Sequence, residues 1–132
     1  MIRNVFVVFA VFAASVPAQE AAKPLDAKAG FAMLKKLAGA WETTPAKSGD
    51  VKSQRQYKVT AKGSAVVETI STGTEEMISV YHMDGPDAIV MTHYCAAGNQ
   101  PTLRLEKSTK PAELKFAFAG GTNMDPKKDG YV

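Results

Sequence analysis

From residue 40 onward, apolar and polar positions alternate in short runs of period two. In the run 52–60, Arg55, Tyr57 and Val59 fall on one parity and Gln54, Gln56 and Lys58 on the other, as in a strand with two unlike faces. Similar runs occupy 40–44, 65–70, 75–83, 88–95, 102–108 and 113–118. Between them stand turn signals such as Ala61-Lys62-Gly63-Ser64, Ser71-Thr72-Gly73-Thr74 and Asp84-Gly85-Pro86-Asp87, rich in residues that accept the torsions a reversal needs. No helical period separates the runs, so nothing supplies a parallel crossover, and the pattern predicts a mainly β, seven-strand antiparallel meander. Closure into an up-and-down barrel is the expected outcome, because a meander otherwise leaves two long edges unpaired. A two-sheet sandwich is the alternative.

One helix is expected ahead of the strands. Asp26 suits an N-cap, Phe31, Leu34 and Leu37 recur with Met33 and Ala38 beside them, and Lys28, Lys35 and Lys36 point elsewhere; Gly39 supplies the stop. Its single apolar stripe has to cover an open end or edge of the sheet. The residues before it read differently. Arg3, the apolar run 5–16 and Val16-Pro17-Ala18 ahead of Gln19 have the form of a cleaved export leader, 1–18. A spanning helix needs roughly 20 apolar residues, so a retained membrane anchor is the weaker alternative. Residues 19–24 form an Ala-rich tether and 25–132 a single domain. The mature protein is expected to be periplasmic or secreted, with no stable membrane insertion after cleavage.

Composition narrows the partners. The net charge of +3 is spread along the chain, without the dense basic face that phosphate neutralisation requires, so no nucleic-acid partner is expected. Cys95 is the one cysteine; no internal disulfide can form, stability must come from burial, and its ordinary role is that of a small buried hydrophobe.

Gly39 and Trp41, at the entry to the meander, resemble the Gly-x-Trp that plugs the closed end of lipocalin-like and fatty-acid-binding-like barrels. Tyr81-His82-Met83-Asp84-Gly85, Thr92-His93-Tyr94-Cys95 and Gly98-Asn99-Gln100-Pro101 are together similar to a family of small exported bacterial proteins with a lipocalin-like fold. The resemblance runs from about Phe31 to Val132 and implies the barrel, but no particular ligand or reaction. It also implies further strands after Gly120–Pro126. Tyr131 and Val132 follow a Lys127-Lys128-Asp129-Gly130 turn and read as the first residues of a strand, so the barrel is expected to be C-terminally incomplete.

The hairpin 75–95 gathers both histidines and the cysteine. A symmetric Asp84–Asp87 turn sets Ile89 opposite His82, Met91 opposite Val80 and His93 opposite Ile78. These six then share an interior face with Cys95, and Ser79, Thr92 and Tyr94 take the other side; a one-residue slip exchanges the faces. His93 and Cys95 point the same way, but two ligands do not make a zinc site, and His82 lies about 13 Å away. No metal site is assigned. A haem needs only one axial imidazole in an apolar slot, which His93 beside Ile78 and Met91 would supply. No nucleophile elbow is present; Cys95 lacks a third group to orient a Cys-His pair; and Glu75 and Glu76 point to opposite faces.

In the loop 96–101, Gly98 and Pro101 constrain the backbone, while Asn99 and Gln100 either orient the polar end of a ligand or bond the turn to itself. The candidate ligand-binding residues are therefore Ile78, Val80, His82, Met91, His93, Cys95, Asn99 and Gln100. The expected function is non-catalytic binding of a small, largely apolar molecule. The rivals are a packed structural or interaction domain, a haem-binding barrel using His93, and a hydrolytic or redox activity based on His93 and Cys95.

Overall fold

The computed structural model describes residues 25–43, 52–106, 110, 112–125 and 127–128. The leader and tether, 1–24, and the strand expected to begin at Tyr131 lie outside the described residues. Helix α1 spans Ala27–Lys36. Its N-cap is Asp26, whose Oδ1 accepts the Ala29 N–H at 2.7 Å, and Lys35 and Lys36 sit in the last turn where cations complement the helix dipole. Ala27, Gly30, Phe31 and Leu34 are its buried face. Gly30 belongs there because a Cβ would come within 2.9 Å of Leu114 Cδ2 and 3.3 Å of Ile89 Cδ1. Leu37 caps the helix and Gly39, at φ 133°, opens the first strand. The Trp41 indole N–H donates to the Leu37 carbonyl at 2.7 Å, tying that strand back to the helix end.

Seven strands follow: β1 (Gly39–Glu42), β2 (Gln54–Thr60), β3 (Ala65–Thr72), β4 (Glu75–Met83), β5 (Ile89–Tyr94), β6 (Gln100–Glu106) and β7 (Lys115–Thr122). They form one antiparallel sheet in chain order, β1 to β7. Among the described residues β1 pairs only with β2 and β7 only with β6, so the observed architecture is a seven-strand meander with one helix. Several boundaries differ from the pattern reading: Ser71 and Thr72 extend β3 into the expected turn by pairing with Glu76 and Glu75, and β6 and β7 also shift. Gln100 and Pro101 belong to β6 rather than to the preceding loop, because they pair with Thr122 and Gly121, which also carries β7 past Phe118. A bulge at Ala119, where Thr102 pairs Gly120 and Leu103 pairs Phe118, keeps Phe116 and Phe118 on the parity of Leu103 and Leu105.

One face of the sheet, the inner one, receives α1. Phe31 and Leu34 pack with Val66, Tyr81 and Ile89, and with Met83, Met91, Leu105, Leu114 and Phe116 around them. The Tyr81 and Phe116 rings meet edge to face at 5.8 Å, a geometry worth about 1 kcal/mol beyond area burial.

The β4–β5 register corrects the expected faces. The partners are Ser79 with His93, Val80 with Thr92, Tyr81 with Met91 and His82 with Val90. Met91 and His93 therefore share the inner face with Ser79 and Tyr81, while Ile78, Val80 and His82 lie on the outer face with Thr92 and Tyr94. The reason is the turn: the Asp84 N–H donates to the Ala88 carbonyl at 2.9 Å, so the reversal is centred on Pro86, half a residue later than a symmetric Asp84–Asp87 turn. One step of register moves a strand's whole side-chain set to the opposite face.

Candidate functional site: a buried carboxylate on the inner face

Tyr57, Glu68, Ser79 and His93 are successive register partners across β2, β3, β4 and β5, which strings four polar side chains in a line across the middle of the inner face. Glu68 is 1 % exposed and Ser79 2 % exposed. Such burial of a carboxylate is tolerated only with close partners. Glu68 has three. Its Oε1 accepts from Arg55 Nη1 at 2.5 Å and from the Tyr57 hydroxyl at 2.7 Å, and its Oε2 accepts from the Tyr81 hydroxyl at 2.6 Å. Every contact is a donor aimed at a carboxylate oxygen, the pattern an ionised carboxylate takes.

The electrostatics follow from this geometry. Burial, then the hydrogen bond and charge of Glu68, push the Tyr57 phenol up to about 12. The same causes in the same order raise Tyr81 further. Both phenols are therefore protonated donors at neutral pH. Burial alone lowers the Arg55 guanidinium, but the hydrogen bond and charge of Glu68 outweigh it and the net shift is upward.

His93 completes the line, its Nδ1 3.0 Å from Ser79 Oγ. Burial pulls its pKa below the usual 6.5, and the Arg55 charge adds to this against the opposing charge of Glu68. The imidazole is thus neutral at pH 7, and no described residue bonds Nε2. The Ser79 hydroxyl in this contact is buried, and among the described residues no acidic group bonds the far ring nitrogen to orient the imidazole as a base.

The candidates named from the sequence divide. Met91 and His93 are half-buried on the inner face, while Ile78 and His82 are exposed on the outer one, where His82 Nδ1 lies 3.1 Å from the Met83 carbonyl. Val80 is half-buried on that outer face. Cys95, half-buried just past β5, has its Sγ 3.5 Å from the Ala97 N–H, and its backbone closes the turn with Gly98 and Asn99. Asn99 is 7 % exposed. The Gln100 amide is occupied by the protein itself: Nε2 donates to the Gly98 carbonyl, and Oε1 accepts from Thr122 Oγ1 and Asn123 Nδ2. Among the described residues no cluster of three His, Cys, Asp or Glu side chains is placed to hold a metal ion, and no helix is long and apolar enough to cross a membrane.

Glu68, Arg55, Tyr57, Tyr81 and Ser79 were not among the candidates. The signal for Glu68 is its parity: in Ala65–Ile70 it shares a face with Val66 and Ile70, a lone carboxylate on an apolar face. Set against family models, curated proteins and solved structures, the chain finds no match among any of them.

Proposed function

We propose that the chain is an exported, non-catalytic binding protein that holds a small, largely apolar molecule against the inner face of its sheet, in the manner of a lipocalin-like barrel. The observation that carries this reading is the incomplete cover of that face. The helix packs on the end bearing Val66, Tyr81 and Ile89, yet Met77, Leu103 and Phe118 on the same face lie outside that cluster and stay only half-buried. Apolar side chains left partly open beside a fixed polar group are the usual make-up of a small-molecule site. His93 is that polar group, with Ser79 holding its orientation. The donors around Glu68 are spent on its own carboxylate, which favours a ligand with an uncharged polar end. A meander running β1 to β7 in order is also the strand order of an up-and-down barrel opened along one seam.

Native mass spectrometry of the protein purified from its own host tests the reading. A stoichiometric co-purifying apolar molecule is the expected result; a uniformly bare protein that also takes up no neutral apolar probe would defeat it. A packed structural or interaction domain is the second reading, favoured by the full hydrogen bonding of the Glu68 cluster: no buried side-chain nitrogen or oxygen among the described residues lacks a partner. A haem on His93 is a special case of the first reading, tested by haemin titration of wild type and His93→Ala.

A further inference from the structure

The outer face carries a feature that the inner-face reading does not use. Glu42, Gln54, Ser71 and Glu76 are register partners across β1 to β4. Ala40, Gln56, Thr69, Ile78 and Tyr94 form the next row of the same face, across β1 to β5. The two rows as far as Thr69 and Glu76 line a depression of about 370 Å³, with Trp41 and Arg55, whose guanidinium is bonded to Glu68, completing its wall. A second depression of about 290 Å³ shares Glu42, Gln54 and Ser71 with it and runs on toward Lys52 and Gly73. At a strand spacing of roughly 4.8 Å the first row spans about 14 Å, which makes a groove rather than a point site.

The side chains define what such a groove would take. Gln54 and Gln56 each offer donors and an acceptor, Ser71 and Thr69 hydroxyls do both, and Glu42 and Glu76 accept. One of the two carboxylates is neutralised, since Lys52 Nζ lies 2.8 Å from Glu42 Oε1. A cation would use only the acceptors and an anion only the donors. A chain of hydroxyl groups, each donor and acceptor at once, uses both. Where the second row leaves the groove it ends in Ile78, 38 % exposed, and Tyr94, 51 % exposed, an apolar pair suited to the C–H face of a sugar ring. We propose that the outer face of β1 to β5 is a binding site for a neutral oligosaccharide, with Gln54, Gln56 and Glu76 reading hydroxyl groups and Tyr94 stacking on a ring.

The test is native affinity electrophoresis of the full chain in gels containing dextran, xylan or laminarin, followed by calorimetric titration with oligosaccharides of whichever polymer retards it. At least one polymer is expected to retard the protein. Gln56→Ala and Tyr94→Ala should each weaken binding about tenfold at an unchanged thermal midpoint, because both side chains are exposed. Binding of a neutral apolar probe to the inner face should be unaffected by either change. Retardation by none of the polymers would overturn the proposal, as would saccharide binding indifferent to both substitutions. Saturable binding of spermidine without any saccharide would overturn it in favour of a cation site.

Discussion

Replacing Glu68 with Ala removes the single acceptor shared by Arg55, Tyr57 and Tyr81. Breaking a buried ion pair from one side typically costs about 3–5 kcal/mol, and each orphaned buried donor about 1–3 kcal/mol. The Arg55 side chain is 40 % exposed and regains water once released, so its share is discounted. Tyr81, at 8 % exposure, cannot do the same. The net expectation is a loss of about 3 kcal/mol, or roughly 12–24 °C in thermal midpoint for a domain of this size. Glu68→Gln keeps the shape and one acceptor and should lose about half as much. Thermal and urea unfolding followed by circular dichroism measure both. Formate added to Glu68→Ala should recover part of the loss, since a carboxylate that binds only the folded state stabilises it by mass action. A Glu68→Ala protein within about 0.5 kcal/mol of wild type would refute the idea that this carboxylate is the organising acceptor of the inner face.

The remaining predictions concern register and pH. Met91→Asp, on the inner face against Tyr81, should unfold the domain or cost several kcal/mol, whereas Ile78→Asp, exposed on the outer face, should change urea stability by under about 1 kcal/mol; equal losses would mean that the register is wrong. His93 is held below its ordinary 6.5 in the folded state, so as pH falls the unfolded chain takes up the proton first. Its contribution is complete above about pH 6.5 and is lost as pH falls through the folded value, and urea midpoints between about pH 7.5 and 5 should show a decline that His93→Gln flattens. Tyr57 has the opposite sense. Raised from 10.0 to about 12, it contributes stability below its unfolded value that disappears as pH climbs toward the folded one; urea midpoints should decline between about pH 9 and 12 in wild type and less steeply in Tyr57→Phe, and equally steep declines would show this to be mistaken.

Much of the architecture was legible because β-strands announce themselves through period two. The alternation of Arg55, Tyr57 and Val59 against Gln54, Gln56 and Lys58 located β2 and separated its faces, and Asp26 and the Phe31–Leu34 spacing located α1. The site was less legible. A turn reading that paired Asp84 with Asp87 rather than Ala88 moved Ile78, Val80 and His82 to the wrong face and hid Ser79. Local composition does not distinguish these two closures, because both use the same Gly85-Pro86 pair. The Glu68 cluster draws one residue or two from each of three strands, so no contiguous motif records it; only the assembled register brings Arg55, Tyr57, Glu68 and Tyr81 together. Gln100 misled for a related reason, since the partners that occupy its amide, Thr122 and Asn123, come from the end of β7.

The central claim is that the inner face is where an apolar molecule is held, and methyl NMR of the labelled protein tests it most directly. On titration with the neutral fluorophore N-phenyl-1-naphthylamine, the methyl resonances of Met77 and Met91 are predicted to shift together and saturably, with the outer-face Ile78 methyls unmoved. Absence of saturable shifts at Met77 and Met91, or shifts confined to Ile78, would contradict the account.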